Sequence, residues 1–259
     1  MKAKVFFATK CLVSAWLVLV SIVPFFYLAA LSFRDREGVL SLQQYYDVFL
    51  GTSAYLLRFW VTLLLCACIV AGQVFVTVLA GYAFAKLRFP GRRVVFFLLL
   101  VLMVLPLQVS LVPNYVVMDR LGLLDTYPSL ILPAIFAPLG TFILTQSFKS
   151  VPDSVIEAAK LDGANQWEII WQIAAPANKS GLVSVALLSF LDAWSMVEQP
   201  VAYIKDYQRY PLAVALSYAD TADPAVQLVC CLLVLLPPAF LFLYFHEELT
   251  EGIALAEVR

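Results

Sequence analysis

Charged residues are scarce in this sequence. Asp, Glu, Lys and Arg make up 14% of its 259 residues, whereas 63% are hydrophobic and the mean hydropathy is +0.89. A soluble domain carries about 25% charged residues and about half apolar ones. A chain this apolar has too little polar surface to cover a water-soluble globule, so its surplus apolar side chains must face lipid. The scarcity of charge therefore predicts a membrane protein.

Residues that build catalytic and metal centres are also scarce. His246 is the single histidine, so a multi-histidine metal site or a histidine-based catalytic triad is hard to build. The five cysteines all lie inside apolar runs. Cys66 and Cys68 are one residue apart and Cys230 and Cys231 are adjacent, which is not the spacing of zinc or redox motifs. We expect no catalytic residue, no metal site and no cofactor bound by this chain.

Two further absences exclude classes of partner. The net charge is −1 and no strongly basic region stands out, which argues against nucleic-acid binding. The sequence has no GxxxxGK[ST] phosphate loop, and its short loops leave no room for a nucleotide-binding domain. Any ATP that the protein uses must then bind to a separate chain.

Long apolar runs are abundant, and six of them can cross a bilayer, which takes about 20 residues. We predict spans at residues 11–31, 59–84, 94–117, 127–148, 182–203 and 225–245. In the second span, a face of small residues suits close helix packing. Its members are Ala71, Gly72, Ala80, Gly81 and Ala85. The fold class is therefore an all-α membrane protein with six transmembrane helices, which we expect to form a single domain over residues 1–259.

Basic residues predict the orientation of these spans, because they are enriched on the cytoplasmic side. The larger group falls on the side of the N-terminus: Lys2, Lys4, Lys10, Lys86, Arg88, Arg92, Arg93, Lys149, Lys160, Lys179 and Arg259. The smaller group is Arg34, Arg36, Arg58, Arg120, Lys205 and Arg209. Both termini are predicted to be cytoplasmic. A cleaved signal peptide is the alternative for the N-terminus, although its apolar run is long for one.

One polar stretch, residues 150–178, lies between the fourth and fifth spans on the predicted cytoplasmic side. Asp153 suits the first turn of a short helix, and Gly163 suits its end. Asn165 followed three residues later by Glu168 has the pattern of a capping box, which predicts a second helix. These patterns alone leave two possibilities open: a connector resting on lipid headgroups, or a helix–turn–helix module that docks a partner.

The same stretch resembles the EAA loop of the permease subunits of binding-protein-dependent ABC importers. Glu157-Ala158-Ala159 is followed after three residues by Gly163, and the apolar helix beyond it reaches Pro176. Several fixed positions match within one loop on the expected side of the membrane. In that family the EAA helix docks into a cleft on a cytoplasmic ATPase.

Further stretches resemble the carbohydrate, maltose-type branch of these permeases and cover most of the chain from the third span onward. They are Leu105-Pro106, Val112-Pro113-Asn114-Tyr115, Leu121-Gly122-Leu123, Asp125-Thr126-Tyr127, Trp194 with Pro200, and, loosely, residues 249–253. The fifth span departs from the pattern, since Trp194-Ser195-Met196-Val197-Glu198 stands where sugar permeases carry Trp-Asn-Asp/Glu-Phe. This departure fits an unusual sugar or a ligand that carries a positive charge.

The resemblance implies partners and site residues. The expected partners are a second homologous permease, two ATPase subunits that bind ATP and Mg²⁺, an extracytoplasmic solute-binding protein and the lipid of the inner membrane. Carried over by position, the ATPase-coupling residues are Glu157, Ala158, Ala159, Asp162 and Gly163.

Polar and aromatic residues in the third and fifth spans are candidates for the translocation pathway. They are Gln108, Asn114, Asp192, Trp194 and Glu198. Pro106 and Pro113 lie near the first two, and broken helices often line a pathway. A charge such as that of Asp192 costs about 2.5–3.5 kcal/mol near the bilayer centre, which marks a functional residue or a buried structural pair.

The sequence is also compatible with other functions. The alternatives are an ABC permease for a non-sugar solute and, with less support, an ATPase-independent secondary transporter. An intramembrane enzyme lacks a nucleophile and base, and a bland membrane scaffold would not explain several separate motifs.

Overall fold

The computed structural model of the chain describes residues 2–34, 38–51, 53–218 and 224–257. Two residues used for the orientation prediction, Arg36 and Arg259, lie outside these ranges. The α-helices are α1 (Lys2–Ser32), α2 (Gln43–Tyr46), α3 (Ser53–Lys86), α4 (Arg92–Val104), α5 (Leu107–Arg120), α6 (Pro128–Ile135), α7 (Pro138–Lys149), α8 (Asp153–Leu161), α9 (Gln166–Glu168), α10 (Ala175–Ala177), α11 (Lys179–Trp194), α12 (Glu198–Tyr203), α13 (Leu212–Tyr218) and α14 (Pro224–Glu257). The predicted all-α class is confirmed over the described ranges, where an isolated bridge between Arg34 and Leu40 is the one β contact.

Four helical segments are long and apolar enough to cross a membrane. They are Thr9–Ser32, Tyr55–Lys86, Pro128–Lys149 and Pro224–Glu248. These segments confirm the first, second, fourth and sixth predicted spans. If each of two strongly bent helix pairs also counts as one span, the described part of the chain has six.

The third predicted span is broken. Residues 94–117 were predicted as one span in which Pro106 and Pro113 could break or kink the helix. In the structure α4 ends at Val104 and α5 starts at Leu107 at an angle of 108°. Pro106 lacks an N–H, and the residue before a proline avoids the helical region, so Leu105 is extended with ψ 133°. Pro113, in contrast, lies inside α5 without ending it.

The fifth predicted span is also interrupted. The prediction was one helix over residues 182–203, whereas α11 ends at Trp194 and α12 begins at Glu198. At the other end, α11 starts at Lys179 and is bent by 85° from the preceding helical segment, Gln166–Ala177. The prediction therefore placed this span within a few residues but was wrong about its continuity.

The chain forms two compact units, residues 1–57 with 216–237 and residues 58–215 with 238–259. In the first unit, Gln44 donates a hydrogen bond of 2.6 Å to the Ser32 carbonyl, which fastens α2 to the end of α1. The single domain expected over residues 1–259 remains a prediction.

In the second unit, glycines let the spans approach closely. A Cβ at Gly81 would lie 2.8 Å from the Cβ of Leu144, and one at Gly181 would lie 2.6 Å from the Ser147 hydroxyl. A Cβ at Gly72 would also clash with the α6 side chain it faces. The close packing predicted for the small-residue face of the second span is thus confirmed at both of its glycines. These contacts bring the second, fourth and fifth spans together beneath residues 150–178.

Candidate coupling surface and translocation cavity

The first helix of the 150–178 loop forms as its residues predict. Pro152 is extended and precedes α8, so its missing N–H costs the helix no hydrogen bond. The helix ends at Leu161, and Gly163 adopts φ +87°, a conformation that other residues rarely tolerate. The turn after the EAA residues therefore depends on glycine for its backbone geometry.

The second helix starts with the predicted capping box. The Asn165 side chain accepts a hydrogen bond of 3.0 Å from the Glu168 N–H, and the Asn165 N–H donates one of 2.7 Å to the Glu168 carboxylate. The chain then winds as a π-helix over Ile169–Ala174 and stays helical to Ala177. The wider winding was not predicted. It ends two residues before Pro176, which has no N–H to donate back into the helix.

The loop is tied to the spans at three points, and the first is Lys86 at the end of α3. Its ammonium donates to the Val151 carbonyl at 2.5 Å and to the Asp153 carboxylate at 2.7 Å. The Lys86 side chain is 9% exposed and that of Asp153 is 78% exposed. The hydrogen bond from Lys86 lowers the pKa of Asp153, and the charges of Lys86, Arg88 and Lys160 act in the same direction.

The second and third ties hold the middle and the end of the loop. Gln166 donates to the hydroxyl of Tyr82 in α3 at 2.8 Å. Ser147 in α7 donates to the side-chain oxygen of Asn178 at 2.8 Å, and Asn178 itself donates to the Ala174 carbonyl at 2.9 Å. We call these contacts, together with the one at Lys86, the three ties. They hold the loop to two different spans.

Apolar packing reinforces the three ties. Ile156 and Ala159 of α8 and Ile169 of the second helix are buried in one core with Tyr82 and Phe148. Ala159 is 9% exposed, so this EAA alanine points into the protein and packs beneath the loop. Its part in coupling stays a prediction, and its side chain does not share the exposed face of α8.

The opposite side of α8 is open. Glu157, Ala158, Asp162 and Gly163 are exposed, and between them Leu161 is 90% exposed. We call these five residues the coupling surface. Sequence analysis missed Leu161, although an apolar residue between the polar positions of a short helix was visible. The coupling surface combines a carboxylate with an apolar side chain on a rigid support, which suits docking to another protein.

Three of the five pathway candidates line a large cavity. Its volume is about 1030 Å³, and Asn114, Asp192 and Glu198 line it. The described residues that line it include no Lys, Arg or His. Gln108 is not among the lining residues, but it donates a hydrogen bond of 2.9 Å to Glu198, which is. Trp194 is not among the lining residues.

Two aromatic residues hold together the helices around the cavity. Tyr203, which was not predicted, donates a hydrogen bond of 3.1 Å to the Leu111 carbonyl. Trp194 is buried between Phe190 and a second phenylalanine from α3, with ring centroids 5.5 and 5.7 Å away. Tyr203 thus fixes α12 to α5, whereas Trp194 packs α11 against α3.

After α5, Asp125 joins its own loop to the loop that carries Lys205, Asp206 and Arg209, and we call this set of contacts the Asp125 clasp. Asp125 has φ +61°, and its carboxylate accepts hydrogen bonds from the N–H groups of Lys205 (2.9 Å) and Asp206 (3.1 Å). Arg209 lies 3.8 Å from the same carboxylate. The hydrogen bonds from Asp206 and Lys205, and then the Arg209 charge, lower the pKa of Asp125.

No metal centre is formed by the residues that the structure describes, because no three His, Cys, Asp or Glu side chains are grouped closely enough to hold an ion. Ionisable groups near the cavity and the loop act instead through hydrogen bonds and charge.

Comparison with known proteins places these features in a family. Residues 73–247 match the family model described as binding-protein-dependent transport system inner membrane component. The sn-glycerol-3-phosphate transport system permease protein UgpE of Yersinia pestis is 29% identical over 194 residues, covering 73% of this chain and 69% of the relative. The arabinooligosaccharides transport system permease protein AraQ of Bacillus subtilis is 27% identical over 226 residues, covering 85% and 80%.

A solved structure shares the fold. The chain superimposes with a TM-score of 0.81 on a chain of a bacterial ABC transporter involved in the import of the acidic polysaccharide alginate. The match covers 95% of this chain and 96% of the other at 20% sequence identity, so it shows the fold alone. The family match spans the 150–178 loop and all of the residues that line the cavity except Ile69.

Proposed function

Because the chain belongs to the family of binding-protein-dependent transport system inner membrane components, we propose that it forms half of the pathway of an ATP-driven importer for a sugar or oligosaccharide. As a member of this family it is a multi-pass inner-membrane transport component and not an enzyme. Family membership also removes the ATPase-independent transporter as an alternative.

The proposed assembly is one copy of this chain, a second homologous permease, two ATPase subunits and an extracytoplasmic binding protein. ATP and Mg²⁺ bind to the ATPase subunits. Both termini and the 150–178 loop lie in the cytoplasm, where the ATPases are. The basic residues of the second and fourth spans' cytoplasmic ends support this orientation.

The observation that supports coupling most directly is that the coupling surface is exposed while the loop behind it is fastened. Glu157 can form a charge-assisted hydrogen bond with an arginine of the ATPase, and Leu161 can enter an apolar cleft. Movement of the docked ATPase is then transmitted through the three ties to the second and fourth spans. A loosely attached connector would absorb such movement.

The solute is proposed from relatives and from charge. The named cargo of one relative is an arabinooligosaccharide, and that of another is the anion sn-glycerol-3-phosphate. Asp192 and Glu198 make the wall of the cavity negative, which favours a neutral sugar over an anion. A solute that carries a positive charge is the second candidate, and the same two carboxylates favour it.

Purification from the native host in mild detergent tests the assembly. We expect an ATPase and a second permease to accompany the tagged chain. Glu157→Lys should remove the ATPase because it reverses the charge of the coupling surface, and Gly163→Pro should do so because proline cannot adopt φ +87°. Glu247→Lys, which reverses an exposed carboxylate near the end of α14, is the matched control.

The second permease should remain attached in both loop variants, since neither change touches the spans. Recovery of the chain without an ATPase, under conditions that preserve known complexes of this kind, would overturn the proposal. Full retention of the ATPase by Glu157→Lys would instead mean that the ATPase docks at a site other than the coupling surface.

A further inference from the structure

A small basic cavity lies between the second and third spans, apart from the coupling surface and the translocation cavity. Its volume is about 420 Å³, and its lining residues are Arg88, Phe89, Gly91, Arg92, Arg93 and Val94. Gly91 has φ +77°, and this turn lets arginines on both sides of it line the same space. We call this cavity the arginine pocket.

The charge of the arginine pocket is not neutralised by the described part of the chain. No ion pair between a carboxylate and Arg88, Arg92 or Arg93 occurs there. The positive charge of Arg88 helps to lower the pKa of Asp153, but the ion pair of the Asp153 carboxylate is with Lys86.

Few of the pocket's guanidinium donors have a partner within the described residues. Arg92 donates one hydrogen bond of 2.8 Å to the Leu87 carbonyl. Each guanidinium carries five N–H donors, so the pocket keeps donors and three positive charges for an anion.

An apolar surface continues directly from the arginines. On the first turns of α4, Val94 is 63% exposed, Phe97 63% and Leu98 54%. Near the same turn, the ring centroid of Phe84 lies 5.9 Å from that of Phe89 and 5.3 Å from that of Phe96 in α4. A ligand that fits the whole surface therefore has an anionic head and a long apolar body.

We propose that the arginine pocket binds the phosphate headgroup of an anionic phospholipid, with the acyl chains lying along α4. A guanidinium group binds two phosphate oxygens at once through two parallel N–H···O hydrogen bonds. Basic pockets between the cytoplasmic ends of spans are suited to lipid headgroups. Free phosphate shares the headgroup chemistry, but it would leave the exposed apolar turn of α4 uncovered. This site goes beyond the transport role and does not depend on which solute is carried.

Lipid titration tests the proposal on the full chain, purified in detergent with the subunits that remain attached. Native mass spectrometry would count bound phosphatidylglycerol and phosphatidylcholine. We expect phosphatidylglycerol to bind at least about tenfold more tightly, because each basic residue near an anionic headgroup contributes severalfold in affinity. Gln in place of Arg88, Arg92 and Arg93 together should abolish this preference. Arg120→Gln, at the far end of α5, is the matched control and should preserve it.

Basic residues also orient spans during insertion, so the triple variant needs a companion that keeps the charge. Lys in place of all three arginines should insert normally and lose part of the preference, since lysine cannot bind phosphate in the same paired way. Equal binding of the two lipids by the unaltered chain would overturn the proposal. Displacement of phosphatidylglycerol by inorganic phosphate would also overturn it, and would identify free phosphate as the ligand.

Discussion

At the scale of single residues, the sequence predicts contacts between near neighbours well. The Asn165–Glu168 capping box and the turn at Gly163 follow from chemistry confined to a few positions, and both are confirmed. The bonds of Lys86 and Tyr82 with the loop cross 65 and 84 residues of sequence, and no local pattern indicates them. For the same reason the link between Gln108 and Glu198 was not predicted, although both residues were chosen as pathway candidates.

Two glycines should respond differently to alanine. A Cβ at Gly163 meets no described atom within 4 Å, so Gly163→Ala costs only backbone strain, about 1 kcal/mol. At Gly81 the Cβ would lie 3.1 Å from backbone atoms of α7, which cannot yield, so Gly81→Ala should cost about 1–3 kcal/mol. Thermal melting of the purified chain measures both. Gly91 also has a positive φ, of +77°, and open space around its Cβ position, so Gly91→Ala should lower the melting temperature about as much as Gly163→Ala. Equal melting temperatures for all three variants would contradict this prediction.

Because of the Asp125 clasp, the stability of the folded protein should fall at acidic pH. The pKa of Asp125 is lower in the folded chain than the unfolded value of about 3.9, so its contribution is present above that value. It is lost as the pH falls through the folded pKa. Asn tolerates φ +61° but cannot carry the charge, so Asp125→Asn should flatten the fall of melting temperature between about pH 5 and pH 3. Asp119→Asn is the control, and a similar flattening there would rule out the clasp as the cause.

At the scale of elements, apolar length finds the spans but not their breaks. The break before α5 had a signal, because Pro106 cannot continue a helix that starts upstream. The break after α11 has none, since Ser195, Met196 and Val197 include neither proline nor glycine. There Tyr203 holds α12 on α5 by a hydrogen bond to the Leu111 carbonyl, so tertiary contacts decide where the helix stops. Local propensity cannot report such contacts.

Loosening one of the three ties should free one part of the loop. Lys86→Met keeps the apolar stem but leaves the buried Val151 carbonyl unpaired, at a cost of about 1–3 kcal/mol. The ion pair with Asp153 adds little, because that carboxylate is 78% exposed. Tyr82→Phe removes the bond to Gln166 and should cost about 1 kcal/mol.

Amide hydrogen exchange separates these two effects. Lys86→Met should speed exchange in α8, and Tyr82→Phe should speed it in α9 and the turns after it. Lys149→Met removes a cation that bonds to Gln146 in its own helix and should leave the loop unchanged. Unchanged exchange in the Lys86 and Tyr82 variants would mean that apolar packing alone fastens the loop.

At the scale of the whole molecule, the sequence predicted the class of protein because its strongest signals are global. Composition and apolar runs required a membrane, and a loop motif with several fixed positions indicated the family. The shape of the cavity could not be predicted, because it arises where α5, α11 and α12 meet after two breaks that were not placed. Its charge, however, was already present in the sequence as Asp192 and Glu198.

The negative wall of the cavity can be tested without knowing the solute. With the five native cysteines replaced by alanine, Ser195→Cys places a thiol in the lining. A cationic methanethiosulfonate should react there about threefold to tenfold faster than an anionic one of similar size, since the two carboxylates in the same cavity lining attract the first and repel the second. Asp192→Asn with Glu198→Gln should bring the two rates together, whereas Asp119→Asn should not. If the rates are equal before either carboxylate is changed, the cavity does not select by charge, and the preference for a neutral or positively charged solute over an anion must be abandoned.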